Sequence, residues 1–304
     1  MSGDSGVLSR SRGAAIAVSL GFVLVWSTGF IVARYGVPHA PALSFLALRF
    51  ALTLLVLAPL IMVQQARWPS LREAAHLAIA GLLIHGIYLS GVWIAIEHGM
   101  PSAMSALIVN MQPILTAVWV AWAGEHVTRR QWLGLLLGLM GVVLAVASKW
   151  TAEGVSATNL LCCVAALAGI TAGTLYQKRQ VPAFDLRTGT FVQLAASLAL
   201  VGPFALLLES RPVMWNAELV LALAWAVLAI SIGAVFLLFR LIERGSATSV
   251  TSLMYLVPPT TALMAWLLFD EAYGWWAAAG MAFAAAGVAL VQQARPAPIT
   301  PGAR

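Results

Sequence analysis

Charge is what this sequence has least of. Of its 304 residues 9% are charged and 61% are hydrophobic, and the mean hydropathy is +0.91. Soluble domains carry roughly 25% charged residues. A chain this apolar has more nonpolar surface than a soluble domain can hide, so lipid is its solvent. Lysine is confined to Lys149 and Lys178, and no Gly-x-x-x-x-Gly-Lys-Ser/Thr loop exists, which excludes ATP binding of the P-loop kind. The two cysteines, Cys162 and Cys163, are neighbours in an apolar run. They make neither a disulfide framework nor a zinc spacing and read as small apolar filler. His-Glu-x-x-His and Gly-x-Ser-x-Gly are missing, and no aspartate lies deep in an apolar run. These absences argue against an enzyme, and neither cofactor nor metal is expected. Without an energy-coupling domain, any transport has to run on a gradient. The net charge of +6 and pI near 9.9 come with no long basic stripe, so a nucleic-acid partner is not expected.

What is present is a succession of apolar segments, each near the roughly 20 residues a bilayer requires. Ten can be placed, at about 14–33, 43–63, 75–96, 103–122, 132–147, 157–176, 190–208, 219–242, 248–269 and 275–292. Runs this long and continuous predict helices, since strands of a membrane barrel would be shorter and would alternate. The first run follows Arg10 and Arg12 and precedes Ala40-Pro41-Ala42, features shared with a secretory signal. At 20 residues, Ala14–Ala33 is too long for a signal core and reads as a first span. With the N-terminus in the cytoplasm, thirteen basic residues fall inside: Arg10, Arg12, Arg67, Arg72, Arg129, Arg130, Lys178, Arg179, Arg187, Arg240, Arg244, Arg295 and Arg304. Three fall outside: Arg34, Lys149 and Arg211. That bias predicts that both termini are cytoplasmic.

The stretch Ile96–Leu144 occurs twice. Adding 146 carries Ile96, Glu97 and Gly99 onto Ile242, Glu243 and Gly245, Pro113 onto Pro259, and Glu125 onto Glu271. It also carries Gly134 onto Gly280 and Gly141 onto Gly287. Residues 1–150 and 151–304 therefore read as two halves of five spans each. Because five is odd, the second half starts on the opposite membrane side. The expected fold is an all-α integral membrane protein of ten transmembrane helices in two inverted five-helix repeats, the basis of alternating access in secondary transporters.

Within the spans, a few residues are candidates for chemistry. Pro113, Pro258 and Pro259 fall mid-span in the fourth and ninth segments, where proline kinks a helix and frees a carbonyl. The kinks read either as packing features or as bends lining a wet cavity, and their symmetric placement favours the cavity. Gly134, Gly138, Gly141, Gly280 and Gly287 form small-residue faces on the fifth and tenth segments. Those faces predict close packing of these two helices on each other, or on another subunit in a homodimer. Arg49 lies in the outer half of the second span and must snorkel, pair or face a cavity; Glu97 is a possible partner for a gate or ion pair. His85 and Tyr88 share a face of the third span, as packing residues or as cavity lining. Trp26, Ser27 and Phe30 lie mid-span in the first segment, and Asn110 and Tyr255 sit beside the prolines. The candidate substrate cavity is Trp26, Ser27, Phe30, His85, Tyr88, Asn110 and Tyr255.

Ten spans in two repeats, Trp26-Ser27-x-x-Phe30, Leu48-Arg49-Phe50, and the run Pro113…Glu125…Gly134…Gly141 with its copy resemble the EamA family of the drug/metabolite transporter superfamily. The resemblance covers nearly the whole chain. It implies a bacterial inner-membrane carrier with a central cavity, and many such carriers export amino acids, metabolites or drugs while others import. The second copy departs from the first: Arg49 has no basic counterpart near Gln193, and Trp26 aligns with Ala172. The expected function is a secondary transporter of small organic solutes, first an exporter, with an uptake carrier of the same fold as the alternative. An intramembrane enzyme built on His85 lacks an arguable activated pair, and a channel lacks charged rings.

Overall fold

A computed structural model of the chain describes residues 4–122, 128–147, 155–181, 183–234, 237, 256–271 and 274–293. Among these residues every regular element is helical. In chain order they are α1 (Asp4–Gly36), α2 (Ala42–Val63), α3 (Leu71–Glu97), α4 (Ser102–Val109), α5 (Gln112–Trp122), α6 (Arg129–Ala147), α7 (Ala157–Gln180), α8 (Leu186–Leu208), α9 (Ala217–Ala234), α10 (Val257–Phe269) and α11 (Trp275–Gln293).

Polar residues at the ends set where these helices begin. The Ser70 hydroxyl accepts from the Glu73 N–H while Glu73 accepts from Ser70, and Ser156 with Asn159 repeats this capping box at α7. Asp185 and Asn216 cap α8 and α9 with their side-chain oxygens. α2 starts after Pro41 with no cap of its own, and acidic residues from elsewhere in the fold supply one.

Among the described residues six helical stretches are long and apolar enough to cross a bilayer: Val18–Gly36, α2, α3, α7, α8 and α9. Trp132–Leu144 within α6 and Val257–Phe269 are apolar but shorter. The fourth expected span differs from the expectation in kind. It ends at Val109 and restarts at Gln112, so it is two short helices rather than one kinked helix. Pro113 is the second residue of α5, where the missing N–H would have had no helical partner in any case. Pro258 and Pro259 likewise lie in the first turn of α10. Glu125 and Glu243 lie outside the described residues, as do Arg244 and Gly245.

The helices pair across the sequence halves in a self-consistent way. α3 packs on α7, α1 on α9, α2 on α8, α4 on α10 and α6 on α11. α10 is the counterpart of α5, and the counterpart of α4 lies outside the described residues. For the other helices, exchange by 146 residues turns α3–α7 into α9–α1 and maps α2–α8 and α6–α11 onto themselves. That is the behaviour of a two-fold axis relating similar units. It fits a two-repeat bundle.

The α6–α11 contact shows the same symmetry at atomic scale. A methyl placed on Gly141 would stand 2.5 Å from the Gly280 carbonyl oxygen and 2.5 Å from the Ala284 nitrogen. One placed on Gly287 would strike the Gly138 nitrogen and the Gly134 carbonyl oxygen. The glycine faces of the two helices thus meet inside one chain, letting the backbones touch. A homodimer through these helices has their outward faces left to it, where Leu133, Leu136 and Leu139 are exposed.

Packing inside the bundle is dense and mostly apolar. Phe45 stacks on Trp93 with centroids 4.3 Å apart, and both are fully buried with Phe50, Leu46 and Ile96. Lipid is as apolar as these side chains, so dispersion and close fit hold them rather than escape from water.

Candidate functional site

The third helix of each half is interrupted at the same place. α3 carries a π turn at Leu82–Ile87, and α9 carries one at Ala226–Ala234. Adding 146 moves the first onto 228–233, inside the second. A π turn is rare and tends to mark a functional site, because it widens the helix and redirects side chains. His85 sits in the first turn, and its counterpart Ser231 in the second. Neither turn was expected from the sequence; Gly86 and Gly233 within them are the local hint.

Two polar contacts cross between the halves at these turns. Arg49 Nε on α2 donates to Ser231 Oγ on α9 at 3.1 Å, and Ser231 Oγ donates to the Ala226 carbonyl at 3.0 Å. On the other side of the pseudo-axis, His85 Nε2 on α3 lies 3.4 Å from Gln193 Oε1 on α8. Gln193 Nε2 donates in turn to Gln177 Oε1 at 2.6 Å. The elements in the two contacts are repeat counterparts, as are the positions of His85 and Ser231, but the chemistry differs: a guanidinium with a serine on one side, a histidine with an amide on the other. Gln177 was not singled out in the sequence, where one glutamine near a helix end carries no signal.

The expected cavity residues distribute around these contacts. His85 and Tyr88 each lie within electrostatic reach of Arg49. Phe50 presents its ring edgewise to His85 at 6.4 Å. On α1, Ser27 and Phe30 are buried and Trp26 is half-buried against the core. The Ser27 hydroxyl reaches the Val257 carbonyl at 3.5 Å, which joins α1 to the start of α10 beside Pro258. Asn110 lies at the break between α4 and α5, where its amide donates to the Ala106 carbonyl at 2.7 Å. Gln112, at the start of α5, donates to Thr174 Oγ1 of α7 at 2.9 Å. Tyr255 lies outside the described residues.

Arg49 and Glu97 do not pair. Glu97 stands at the C-terminal end of α3, where Arg211 Nη2 donates to it at 2.9 Å and the Ala42 N–H at 3.2 Å. Arg49 is two helical turns further along α2, roughly 10 Å deeper. Glu97 belongs instead to a seal at the bundle end taken as outer from the charge bias. There the Glu209 carboxylate accepts from the Leu43 and Ser44 N–H groups, each at 2.7 Å, and so caps α2 from the other half. Arg211 also donates to the carbonyls of Val37 and Pro38, and His39 Nε2 lies 2.6 Å from Glu218. A negative carboxylate at a helix N-terminus is favourable on both hydrogen-bond and dipole grounds.

At the opposite end fewer ties are seen among the described residues. The Thr188 hydroxyl donates to the Arg67 carbonyl at 2.7 Å, Arg187 reaches Gln64, and Trp68 meets Phe191 edge to face. A cavity of about 310 Å³ lies here between the two loops, lined by Arg67, Trp68, Pro69, Glu73, Ala183, Phe184 and Asp185. The hydrogen bond from Arg187 holds the Asp185 carboxyl below the usual aspartate range. Among the described residues no group of three or more His, Cys, Asp or Glu could hold a metal.

Comparison with known proteins gives these features a family. The EamA-like transporter family model matches residues 13–147 and again 157–292. The inner membrane transporter YedA of Escherichia coli K12, itself uncharacterised, is 24% identical over 241 residues, covering 79% of this chain and 78% of that protein. An uncharacterised transporter of Archaeoglobus fulgidus is 26% identical over 277 residues, covering 88% and 93%. A protein of Salmonella typhimurium described as a probable amino-acid metabolite efflux pump is 26% identical over 159 residues, covering 52% and 51%. One solved crystal structure superimposes with a TM-score of 0.64 at 20% identity, covering 91% of this chain and 97% of that one, a likeness of fold. With its two matched repeats, the chain belongs to the EamA-like transporter family, within the drug/metabolite transporter superfamily.

Proposed function

We propose that this membrane transporter is a gradient-driven carrier that exports small organic solutes such as amino acids, metabolites or drugs across the bacterial inner membrane. Its two halves, residues 1–150 and 151–304, would rock about the pseudo-axis while both termini stay in the cytoplasm. The observation that carries the reading is the pair of polar contacts at repeat-equivalent π turns, Arg49–Ser231 and His85–Gln193. Polar groups this deep in a bilayer are costly and turn toward a solute path. Carriers built of repeats bind near the midplane, where the halves meet. The many-bonded outer end and the ties at the inner end supply two gates on either side of that level. Trp26, Phe30 and Tyr88 would contact the apolar body of the solute, and Ser27, His85, Asn110 and Tyr255 would hold its polar ends.

The test is counterflow in proteoliposomes: a carrier concentrates labelled solute against preloaded unlabelled solute, whereas a channel or an enzyme does not. Inside-out and right-side-out vesicles then separate export from uptake by the same fold. Absence of counterflow with every preloaded solute would sink the carrier reading.

A further inference from the structure

Arg49 has a charge that nothing in the described fold neutralises. Its side chain is buried, with the residue 7% exposed, roughly 10 Å below the outer end of α2. A guanidinium carries five N–H donors. The Nε–H is used on Ser231 Oγ, and among the described residues the other four have no acceptor. The groups within reach of it are His85, Tyr88 and Ser231, none of them an anion at neutral pH.

In the sequence the eleven acidic residues all fall outside the ten apolar segments. Among the described residues Glu97 is committed to Arg211, and Glu209 to the first turn of α2. An ion held without a partner inside a protein is strongly unfavourable, and breaking a buried pair costs more than never having built it. A chain that keeps such a cation is prepared for a counter-charge from outside itself.

We propose that Arg49 binds the carboxylate of the transported solute, so that the carried class is monoanionic or zwitterionic organic carboxylates. The inference rests on the carrier reading above and names its substrate class. The fork of a guanidinium suits both carboxylates and phosphates. The single cation decides between them. A phosphate ester brings nearly two negative charges at neutral pH, and within the described spans no second buried cation stands beside Arg49. A monoanion leaves the site neutral. Tyr88 within reach of the guanidinium and Phe50 edge-on to His85 would supply apolar contact for the carbon body, and the bond of Nε to Ser231 leaves the two terminal nitrogens to the solute.

The experiment follows thermal unfolding of the purified full chain in detergent. Its probes are 3-phenylpropanoate against 3-phenylpropanamide, and each proteinogenic amino acid against its amide. At ligand concentrations near 100 times Kd, one or more carboxylates should raise Tm by about 5 °C while the matched amides do not. R49M should melt above the wild type when ligand-free, because a lone buried ion has been removed, and should lose the response to carboxylates. R49K should keep part of it. Amides as effective as acids, or no response to any acid, overturn the proposal without recourse to a variant. A ligand-free R49M that melts lower, or does not fold, also overturns it, since Arg49 would then be held by the fold. Carboxylate binding without counterflow would overturn the carrier reading and leave Arg49 standing. Counterflow of amides alone, unchanged in R49Q, would do the reverse.

Discussion

Arg49 and Ser231 are joined across the two halves by a 3.1 Å hydrogen bond, and Ser231 stands where His85 stands in the other half. The duplication has therefore kept a contact and changed its chemistry. The backbone places two equivalent π turns near the middle of the bundle, and each half has furnished its turn differently. Several consequences can be measured.

Replacing Trp26 or His85 by alanine should abolish counterflow while the protein still inserts and melts cooperatively. Single cysteines at 26, 85, 88, 110 and 255, with Cys162 and Cys163 replaced, should react with a small aqueous thiol reagent more slowly when solute is present. Inertness at all five positions would place the solute path elsewhere.

Gly141→Ala and Gly287→Ala should each destabilise by about 1–3 kcal/mol, since the added methyl meets backbone atoms that cannot turn aside. Gly21→Ala is the control. Nothing lies within 4 Å of that position, and alanine is the better helix former. Thermal unfolding should separate the two classes, and a shift in solute preference in place of stability would show that α6 and α11 line the path.

Glu209→Gln should weaken the outer seal. The amide still offers one acceptor oxygen, but the charge at the α2 N-terminus is gone, a loss on the order of 1 kcal/mol. A cysteine at Ser27 should then label faster with a membrane-impermeant reagent from the outer side. An unchanged rate would mean that this end is not held shut by Glu209.

Acid should loosen the opposite end. The Asp185 carboxyl is held below its ordinary value by Arg187, so its contribution is present above the unfolded aspartate pKa of about 3.9 and is lost as pH falls through the folded value. The Tm difference between wild type and Asp185→Asn should accordingly shrink below about pH 4. A difference that persists into stronger acid would mean the pair contributes nothing to stability.

Reporter fusions address orientation. One placed after residue 304 should be active in the cytoplasm, and one after residue 150 in the periplasm, as thirteen basic residues against three demand. A C-terminal reporter active only outside would remove the ten-span reading.

The parts of this fold that sequence made legible are those with long-range regularity. The 146-residue offset anticipated the contact between Gly141 and the Gly280–Ala284 backbone, because close helix packing needs small residues at helical spacing and nothing else. The proline positions were legible, but their effect was not. Whether Pro113 bends a helix or begins one depends on the Met111 N–H turning from the helical partner four residues back to the Ile108 carbonyl three back, a choice made by packing. The π turns left almost no trace, since a one-residue register change requires no special residue type. The partners of Arg49 and Glu97 were misjudged because chain distance along two helices says little about depth. Only the folded bundle shows that Glu97 lies level with Arg211 and the start of α2.

The π turns carry one more consequence. A turn of this kind holds one residue beyond the α-helical complement, and one residue corresponds to about 100° of rotation. Sliding the surplus residue along α3 by a turn would swing the intervening side chains by that angle while both helix ends stayed docked. His85 lies within such a segment, and Ser231 within its counterpart. The two interruptions would then serve as swivels within α3 and α9, turning a side chain toward the solute or away from it by a local twist.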